Sequence, residues 1–222
     1  MTDPGRTVVV VALWVDEPPP GELPPRALGL KNVACDHGFR LAVIPHRTLD
    51  VTRWLAAPPA GLILSGSRLH LGEDCTPEDF PETCAWLDQL PQVPVLGICF
   101  GHQFLAYGAG GRLERLAFSR SAVDWPVRHE HAHPVFAQLP DPCSFAENHR
   151  QRVAEVGRGF RVIAASDDGI EAMAHDSLPR LGVQFHPEYF PEQARPYGRI
   201  FLNNWFHSLA QAGPGRRDHD AR

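Results

Sequence analysis

The segment at residues 95–107 constrains the chain most, because it predicts a strand that turns sharply into a helix at a cysteine. An apolar run leads into Gly97-Ile-Cys99-Phe-Gly101, and helix-compatible residues follow it. This pattern is a nucleophile elbow with cysteine in place of serine. Glycines on both sides suit a turn that strains the backbone and brings neighbouring elements close together. A thiol at a helix N-terminus is favoured as the thiolate, so the motif predicts covalent acyl transfer.

The first half of the chain alternates predicted strands and helices. The continuous apolar run at residues 8–15 is typical of a central parallel strand covered on both faces, and residues 39–45 and 61–67 predict a second and a third strand. Helices are expected at residues 26–37, stopped by Gly38, and at residues 77–90, with Thr76 as N-cap and Pro77 in the first turn. This order predicts an α/β fold, a single doubly wound, mostly parallel sheet flanked by helices.

The second half predicts shorter strands, some of them antiparallel. They fall at residues 111–133 and 143–153, in a hairpin of residues 160–166 and 170–175, and in a buried strand at residues 181–185. A closing helix is expected at residues 192–211. We expect residues 1–212 to form one domain and the polar residues 213–222 to form a disordered tail.

Composition narrows the classes of function. A chain of 222 residues, 43% of them hydrophobic, suits one globular domain, and a net charge of -5 without a basic stretch makes nucleic acid an unexpected partner. No apolar run approaches the roughly 20 residues that span a bilayer, and the N-terminus lacks a signal-peptide profile, so we expect no membrane association. The five cysteines are odd in number and irregularly spaced, which indicates a reduced, cytoplasmic protein.

A cysteine nucleophile needs a base, and the base needs a group that orients it. His186-Pro187-Glu188 follows the predicted strand at residues 181–185. Residues two apart in an extended segment point the same way, so Glu188 is placed to hold the His186 ring. The carboxyl ends of strands in an open parallel sheet meet over one crevice, so the distance from Cys99 in sequence is no obstacle.

Attack on a carbonyl also requires donors for the oxyanion. The elbow offers the backbone N–H of Phe100. A second donor is expected from Ser65-Gly66-Ser67 at the end of another strand, because glycine lets the backbone approach a substrate closely.

Three blocks together resemble the class I (triad) glutamine amidotransferase family. They are Gly-Ile-Cys-Phe-Gly-His-Gln, Gly-Val-Gln-Phe-His-Pro-Glu and Leu-Ile-Leu-Ser-Gly, which occur in the family's order within a resemblance that spans residues 8–206. Their spacing is most similar to the glutaminase part of GMP synthases and its stand-alone relatives. The resemblance implies a flavodoxin-like fold and hydrolysis of L-glutamine, with ammonia delivered to a second active site.

The resemblance also implies a role for individual residues. Cys99 would form a γ-glutamyl thioester, His186 would protonate the departing ammonia and then activate water, and Glu188 would orient His186. Gly66 and Phe100 would hold the oxyanion. Substrate contacts would come from Gln103 and from Asn148 and His149, although the last two also fit a polar loop without such a role.

The sequence departs from the family pattern at two places. Ser67-Arg68 stands where relatives usually have Gly-Pro, and His102 stands where close relatives often have Met. Neither change touches the triad, so we expect catalytic competence. No synthetase domain follows, and the ammonia acceptor is therefore expected on a separate synthetase or ligase subunit. The acceptor stays open among a purine nucleotide, a chorismate derivative, a carbamoyl donor and a specialised metabolite.

His129, His131 and His133 alternate, so in a strand they would share one face. A metal cluster is one interpretation, and a polar sheet edge or partner surface is the favoured one. The family resemblance implies no metal and no cofactor.

Two other hypotheses use the same scaffold. A γ-glutamyl hydrolase would cleave γ-glutamyl amides with the same triad and would pass on no ammonia. A non-catalytic regulatory or binding module would need none of the triad, and the intact Cys99, His186 and Glu188 argue against it.

Overall fold

A computed structural model describes residues 3–13, 25–121, 123–189 and 196–211. These residues form one mixed sheet with helices on both faces, which confirms the expected α/β class. Along the sheet the strand order is β2-β1-β3-β4-β11-β10-β9-β6-β7, and β8 and β5 extend from β10. The strands are β1 Thr7–Ala12, β2 Arg40–Pro45, β3 Gly61–Leu64, β4 Val95–Ile98, β5 Arg112–Arg115, β6 Val123–His129, β7 Cys143–Glu147, β8 Gln151–Glu155, β9 Phe160–Ser166, β10 Gly169–His175 and β11 Arg180–Val183.

Five strands, β2, β1, β3, β4 and β11, form the parallel part of the sheet. All six residues of β1 are buried, as expected for a strand covered on both faces. The strand β11 pairs in parallel with β4, with Val183 opposite Ile98. Strand β4 precedes the elbow and strand β11 precedes the His-Pro-Glu segment. Their pairing therefore places the ends of these two strands side by side.

Two hydrophobic cores lie on opposite faces of the sheet, because alternate residues of β1 face opposite sides. The helices α1 Pro25–Asp36 and α5 Pro196–Gln211 cover one core. The short helix α2 Thr52–Leu55, α3 Pro81–Gln89 and α4 Phe100–Gly108 cover the other. Trp54 and Trp86 lie in the second core and Trp205 in the first.

The antiparallel part is built from β5 to β10 and is larger than the sequence indicated. The predicted hairpin is confirmed, since β9 and β10 pair antiparallel with Ser166 opposite Gly169. The helix predicted at residues 26–37 is also confirmed, and Gly38 follows it with a positive φ of 76°. Residues 14–15 of the first predicted strand, residues 192–195 of the predicted closing helix and the tail at residues 213–222 lie outside the described residues.

The prediction of one helix at residues 77–90 is wrong. A 3₁₀ turn, Pro77–Asp79, is followed by α3, which begins at Pro81. A residue before proline is disfavoured in the helical region, and Phe80 has φ -126° and ψ 53°. Thr76 still begins the segment, with its N–H donating to the Asp79 carboxylate over 2.8 Å.

The prediction that three alternating histidines share a strand face is wrong as well. Strand β6 ends at His129, and His131 and His133 lie in the turn that follows. His129 is buried and stacks on Phe136, with ring centroids 4.5 Å apart, and its Nε2 lies 2.9 Å from the Pro140 carbonyl oxygen. Its contacts are those of a packed core residue.

Within the described ranges, no helix has the length and apolar character that crossing a membrane would require. In the same ranges, no group of three or more His, Cys, Asp or Glu residues is arranged to hold a metal ion.

Candidate active site

Cys99 lies between the end of β4 and the start of α4, in the left-handed backbone region with φ 52° and ψ -102°. A non-glycine residue in such a conformation costs about 1–3 kcal/mol and persists only when its surroundings hold it. One restraint is its own N–H, which donates to the Val183 carbonyl oxygen of β11 over 2.8 Å. The strand β11 thus fixes the elbow that carries the thiol.

The two flanking glycines are required by close backbone contacts. A Cβ atom on Gly97 would lie 2.5 Å from the Gly101 carbonyl oxygen, and one on Gly101 would overlap the carbonyl oxygen of Leu64 in β3. Both contacts are with backbone atoms, which a rotamer change does not move. The helix α4 can therefore leave the elbow this close to β3 only with glycine at both positions.

His186 follows β11 on the same edge of the sheet as Cys99. Its N–H donates to the Ala146 carbonyl oxygen over 2.9 Å, and the preceding Phe185 stacks on Phe145 with ring centroids 3.8 Å apart. Its ring Nδ1 lies 2.8 Å from Glu188 Oε1, and both side chains are buried. Backbone and side-chain contacts together fix the imidazole.

Two opposing effects act on the His186 imidazole. Burial disfavours the charged ring, but the neighbouring Glu188 carboxylate and the Cys99 side chain raise the pKa of His186 well above its usual range. The ring is therefore an imidazolium at neutral pH. Of the other cysteines, burial raises the pKa of Cys75 to about 11 and that of Cys143 to about 12, so these thiols stay protonated.

Gly66 adjoins both groups. A Cβ atom there would lie 3.2 Å from His186 Cε1 and 3.6 Å from Cys99 Cβ, so a side chain would enter the space above the thiol. Among the described residues, neither the Gly66 nor the Phe100 N–H donates to another protein group. The Ser65 hydroxyl accepts from Leu13 N–H over 3.0 Å and donates to the Gly66 carbonyl oxygen over 2.9 Å, which anchors this loop.

A cavity of about 260 Å³ opens onto Cys99. The structure brings all three predicted substrate contacts, Gln103, Asn148 and His149, into its wall. Asn148 lies beside the thiol, with its carbonyl oxygen 3.8 Å from Cys99 Sγ. Of the described residues, those that line the cavity are Ser67, Arg68, Leu69, His70, Cys99, Gln103, Arg120, Asn148, His149, Arg150 and Gln151.

Gln184 is a site residue that the sequence analysis did not single out. Its Nε2 lies 3.6 Å from Cys99 Sγ, and its Oε1 accepts from Gln103 Nε2 over 3.0 Å. Gln103 Nε2 also donates to the Gln151 carbonyl oxygen over 2.8 Å. The signal was present in the sequence, since Gln184 is a polar residue in an apolar run, two positions before His186.

Arg120 is a second residue without a sequence signal. It reaches the cavity wall from the loop between β5 and β6, and its N–H donates to the His149 carbonyl oxygen over 2.8 Å. Its guanidinium pairs with Asp168, 48 positions away in sequence, which lies in the turn between β9 and β10. Only the fold brings these two residues together.

The protein-family model described as glutamine amidotransferase class-I matches residues 29–208. The chain belongs to the class-I glutamine amidotransferase family. Among its relatives, one subunit of the glutamine-hydrolysing GMP synthase of Thermococcus kodakarensis is 36% identical over 156 residues, which cover 68% of this chain and 77% of that protein. The GMP synthase of Thermomicrobium roseum is 34% identical over 160 residues, which cover 70% of this chain and only 28% of that protein.

Solved structures of similar fold support the same architecture. A Thermoplasma acidophilum protein, described provisionally as a subunit of GMP synthase, superposes with a TM-score of 0.74 at 23% identity. The match covers 93% of this chain and 94% of that one.

In this class-I glutamine amidotransferase, His102 is fully buried in α4. Burial lowers its pKa to about 3, so the ring is neutral and packs as a core residue. Ser67 and Arg68, the other departure from the family pattern, both line the cavity. Ser67 Oγ accepts from Leu69 N–H over 3.2 Å, which shapes the loop after Gly66.

A pair of buried glutamates lies behind the cavity wall of the amidotransferase. Glu147 at the end of β7 has its Oε2 3.2 Å from His149 Nε2, and burial raises its pKa to about 8. Burial and the neighbouring Glu147 raise the pKa of Glu171 well above its usual range, and Glu171 Oε1 accepts from the Ser166 hydroxyl over 2.5 Å. Because two carboxylates this deeply buried are costly to ionise together, the pair keeps a proton at neutral pH.

Proposed function

We propose that this chain hydrolyses the γ-carboxamide of L-glutamine to glutamate and ammonia, and that it serves as the glutaminase subunit of a larger enzyme. The observation that carries the proposal is Cys99 at a strained elbow, beside an imidazolium held by Glu188 and open to a cavity sized for a small substrate. The match to the class-I family model supports it.

The first half of the proposed reaction forms a thioester. The Cys99 thiolate attacks Cδ of the carboxamide, and the Gly66 and Phe100 N–H groups stabilise the oxyanion. The His186 imidazolium transfers its Nε2 proton to the departing nitrogen, which leaves as ammonia. Glu188 accepts from Nδ1 throughout and so keeps Nε2 directed at the reacting atoms.

The second half hydrolyses the γ-glutamyl thioester. His186, now neutral, takes a proton from water, and the resulting hydroxide attacks the thioester carbonyl. Collapse of the second oxyanion releases glutamate and restores the Cys99 thiolate beside the His186 imidazolium. The net reaction consumes one glutamine and one water.

A separate ammonia-accepting protein completes the proposal. Similar proteins are named as one lettered subunit of GMP synthase, which implies at least one further subunit in those enzymes. We propose a synthetase of this kind as the partner, with a purine nucleotide as the favoured acceptor, and a cytoplasmic location. All five cysteines are free, which fits a reducing compartment.

The test measures ammonia and glutamate released from glutamine by the wild type, Cys99→Ala and Cys35→Ala. Cys35 is an exposed free cysteine and serves as the matched control. We expect Cys99→Ala to abolish release and Cys35→Ala to leave it unchanged. A diazo-ketone analogue of glutamine should add to Cys99 and spare Cys35, which mass spectrometry of peptides would show. Release that survives Cys99→Ala would contradict the mechanism.

The substrate range separates the proposal from a γ-glutamyl hydrolase. We expect glutamine to be preferred over γ-glutamyl amines, and we expect the rate to rise when a candidate synthetase subunit is added. A preference for γ-glutamyl amines, with no rate change from any synthetase, would favour the hydrolase instead.

A further inference from the structure

The wall of the active-site cavity presents one arginine whose position is fixed from two sides. Arg120 Nε and Nη2 donate to the two carboxylate oxygens of Asp168, each over 2.5 Å. The guanidinium also lies over the Trp125 ring, 3.6 Å from its centroid. The side chain is 22% exposed, while Asp168 is nearly buried. Because a pre-positioned side chain loses little entropy on binding, this geometry suits recognition of a ligand.

The ion pair leaves part of the guanidinium unused. Nε and Nη2 face Asp168, and within the described chain Nη1 makes no hydrogen bond. An arginine carries five N–H groups, of which two belong to Nη1. Both of these donors remain for a ligand in the cavity that Arg120 lines.

The cavity wall is basic. Among the residues that the structure describes, its lining includes Arg68, Arg120 and Arg150 and contains no Asp or Glu. The carboxylates next to this wall already have cationic or polar partners: Glu73 pairs with Arg115, Asp74 with His70, and Asp168 with Arg120. Within the described ranges, this lining favours an anionic group in the ligand and offers no acidic side chain to a ligand ammonium.

We propose that Arg120 binds the α-carboxylate of the substrate, an inference that rests on the proposed function. The site thereby selects γ-carboxamides that carry this anion, largely without regard to the α-amino group. The Nη1 donors bind the carboxylate at one end of the cavity while the carboxamide reaches Cys99 at the other. Arg120 is thereby a specificity-determining residue, and Asp168 and Trp125 position it.

Three substrates test the proposal on the wild type. L-Glutamine carries both α groups, L-glutamine α-amide lacks the anion, and glutaramate lacks only the amino group. Loss of a hydrogen bond to a charged group typically lowers kcat/KM about 10- to 100-fold. We expect kcat/KM for the α-amide to fall by this factor, mainly through a higher KM. We expect kcat/KM for glutaramate to stay within about 3-fold of the value for glutamine, because removing the amino group breaks no pair with a charged side chain.

Variants of Arg120 separate binding from a structural role. Arg120→Gln should lower kcat/KM for glutamine and glutaramate to the level of the α-amide and leave the α-amide rate unchanged. Arg120→Lys should restore part of the preference because it keeps the charge. Arg128→Gln is the matched control, since Arg128 is exposed and pairs with Asp167 in the same turn without lining the cavity. It should keep the wild-type preference.

Arg120→Gln leaves Asp168 buried without its partner, and this variant could fail to fold for that reason. The double variant Arg120→Gln/Asp168→Asn removes both charges and should show the same loss of preference for glutamine and glutaramate over the α-amide. Equal losses on all three substrates would assign Arg120 a structural role and overturn the inference. A wild type that hydrolyses glutamine and its α-amide equally would overturn it too and leave the proposed function intact. If no γ-carboxamide releases ammonia, the proposed function itself is contradicted, and the inference fails with it.

Discussion

The charge state of His186 depends on which of two opposing effects is larger. Burial of an imidazole favours the neutral ring, and nearby negative charges favour the imidazolium. In this site the carboxylate of Glu188 and the neighbouring Cys99 side chain have the larger effect, and the pKa of His186 is raised well above its usual range. This direction of shift is the one that the proposed mechanism requires, because there His186 supplies a proton to the departing nitrogen.

Removing the Glu188 charge should reverse this balance. In Glu188→Gln, burial dominates and the pKa of His186 falls, so the imidazolium that the proposed mechanism needs beside Cys99 is lost. We expect kcat/KM for glutamine to fall by about 10²-fold or more, which is typical when a base loses its orienting carboxylate. We also expect alkylation of Cys99 by iodoacetamide at pH 7 to slow.

The matched control is Glu155→Gln, an exposed glutamate that pairs with Arg112 far from the cavity. Its activity and its alkylation rate should equal those of the wild type. A Glu188→Gln enzyme with unchanged rates on both measurements would rule out the assigned role.

At the residue scale, short local motifs were enough to predict the site residues that lie at the ends of strands. Cys99, His186, Glu188 and Gly66 were predicted from short motifs, and the structure brings them together because parallel strands end at one edge. Their catalytic roles stay predictions. Arg120 and Glu147 carried no such signal, since their surroundings come from distant segments and burial is a property of the folded chain.

At the element scale, the contact of α4 with β3 decides whether the elbow forms. Gly101→Ala places a methyl group against the Leu64 carbonyl, where backbone must move. We expect Gly101→Ala to lower the free energy of unfolding by about 1–3 kcal/mol or more and to reduce activity. Chemical denaturation measures the first effect, and ammonia release measures the second.

Gly108 at the end of the same helix is the control, because a Cβ there would meet nothing within 4 Å. Gly108→Ala should leave activity unchanged and stabilise the protein by about 0.5–1 kcal/mol, since alanine is a better helix former. Equal destabilisation by the two substitutions would refute the close-contact explanation.

His102 makes helix α4 sensitive to acid. In the unfolded chain this histidine is protonated below about pH 6.5, whereas in the folded protein the ring stays neutral down to about pH 3. Stability contributed by the neutral ring is therefore lost progressively as pH falls from 6.5 towards 3. His102→Met removes this dependence, and we expect the loss of unfolding free energy between pH 7.5 and pH 5 to shrink by up to about 2 kcal/mol.

The exposed His207 of α5 provides the comparison, because His207→Met should leave the pH dependence of stability as it is in the wild type. Parallel stability curves for His102→Met and the wild type would contradict the buried, neutral state of His102.

Element types followed from sequence wherever the pattern was continuous, as in β1, the hairpin of β9 and β10, and α1. The errors have local causes. Pro81 breaks the run from residue 77 to residue 90, because proline restricts the residue before it. The histidines after β6 alternate as in a strand, but pairing with β9 ends at His129. Periodicity did not show where the partner strand stops.

At the scale of the whole molecule, the buried pair of Glu147 and Glu171 makes the free energy of unfolding depend on pH in the direction opposite to that of His102. The pKa of Glu147 is about 8 in the folded protein, against an ordinary value near 4.5. Between these values the folded state keeps a proton that the unfolded chain has released, so stability falls as pH rises from about 4.5 to about 8. The slope contributed by one such group is at most about 1.4 kcal/mol per pH unit.

Glu147→Gln mimics the protonated acid and should flatten this slope, as measured by denaturant unfolding at pH 5.5, 7 and 8.5. Glu130→Gln, at an exposed glutamate paired with Arg161, should retain the wild-type slope. If the slope is equally steep in Glu147→Gln, the proton does not reside on Glu147.

The pairing of β11 with β4 has a consequence for synthesis on the ribosome. The nucleophile strand is made early, but its neighbour lies more than 80 positions later and inserts between β4 and β10. Until that insertion, β4 has an open hydrogen-bonding edge, and the newly made thiol has neither its histidine nor the Val183 carbonyl that holds its backbone. The contacts that surround Cys99 therefore exist only after synthesis has passed β11 and His186, and a molecule truncated before that point lacks them.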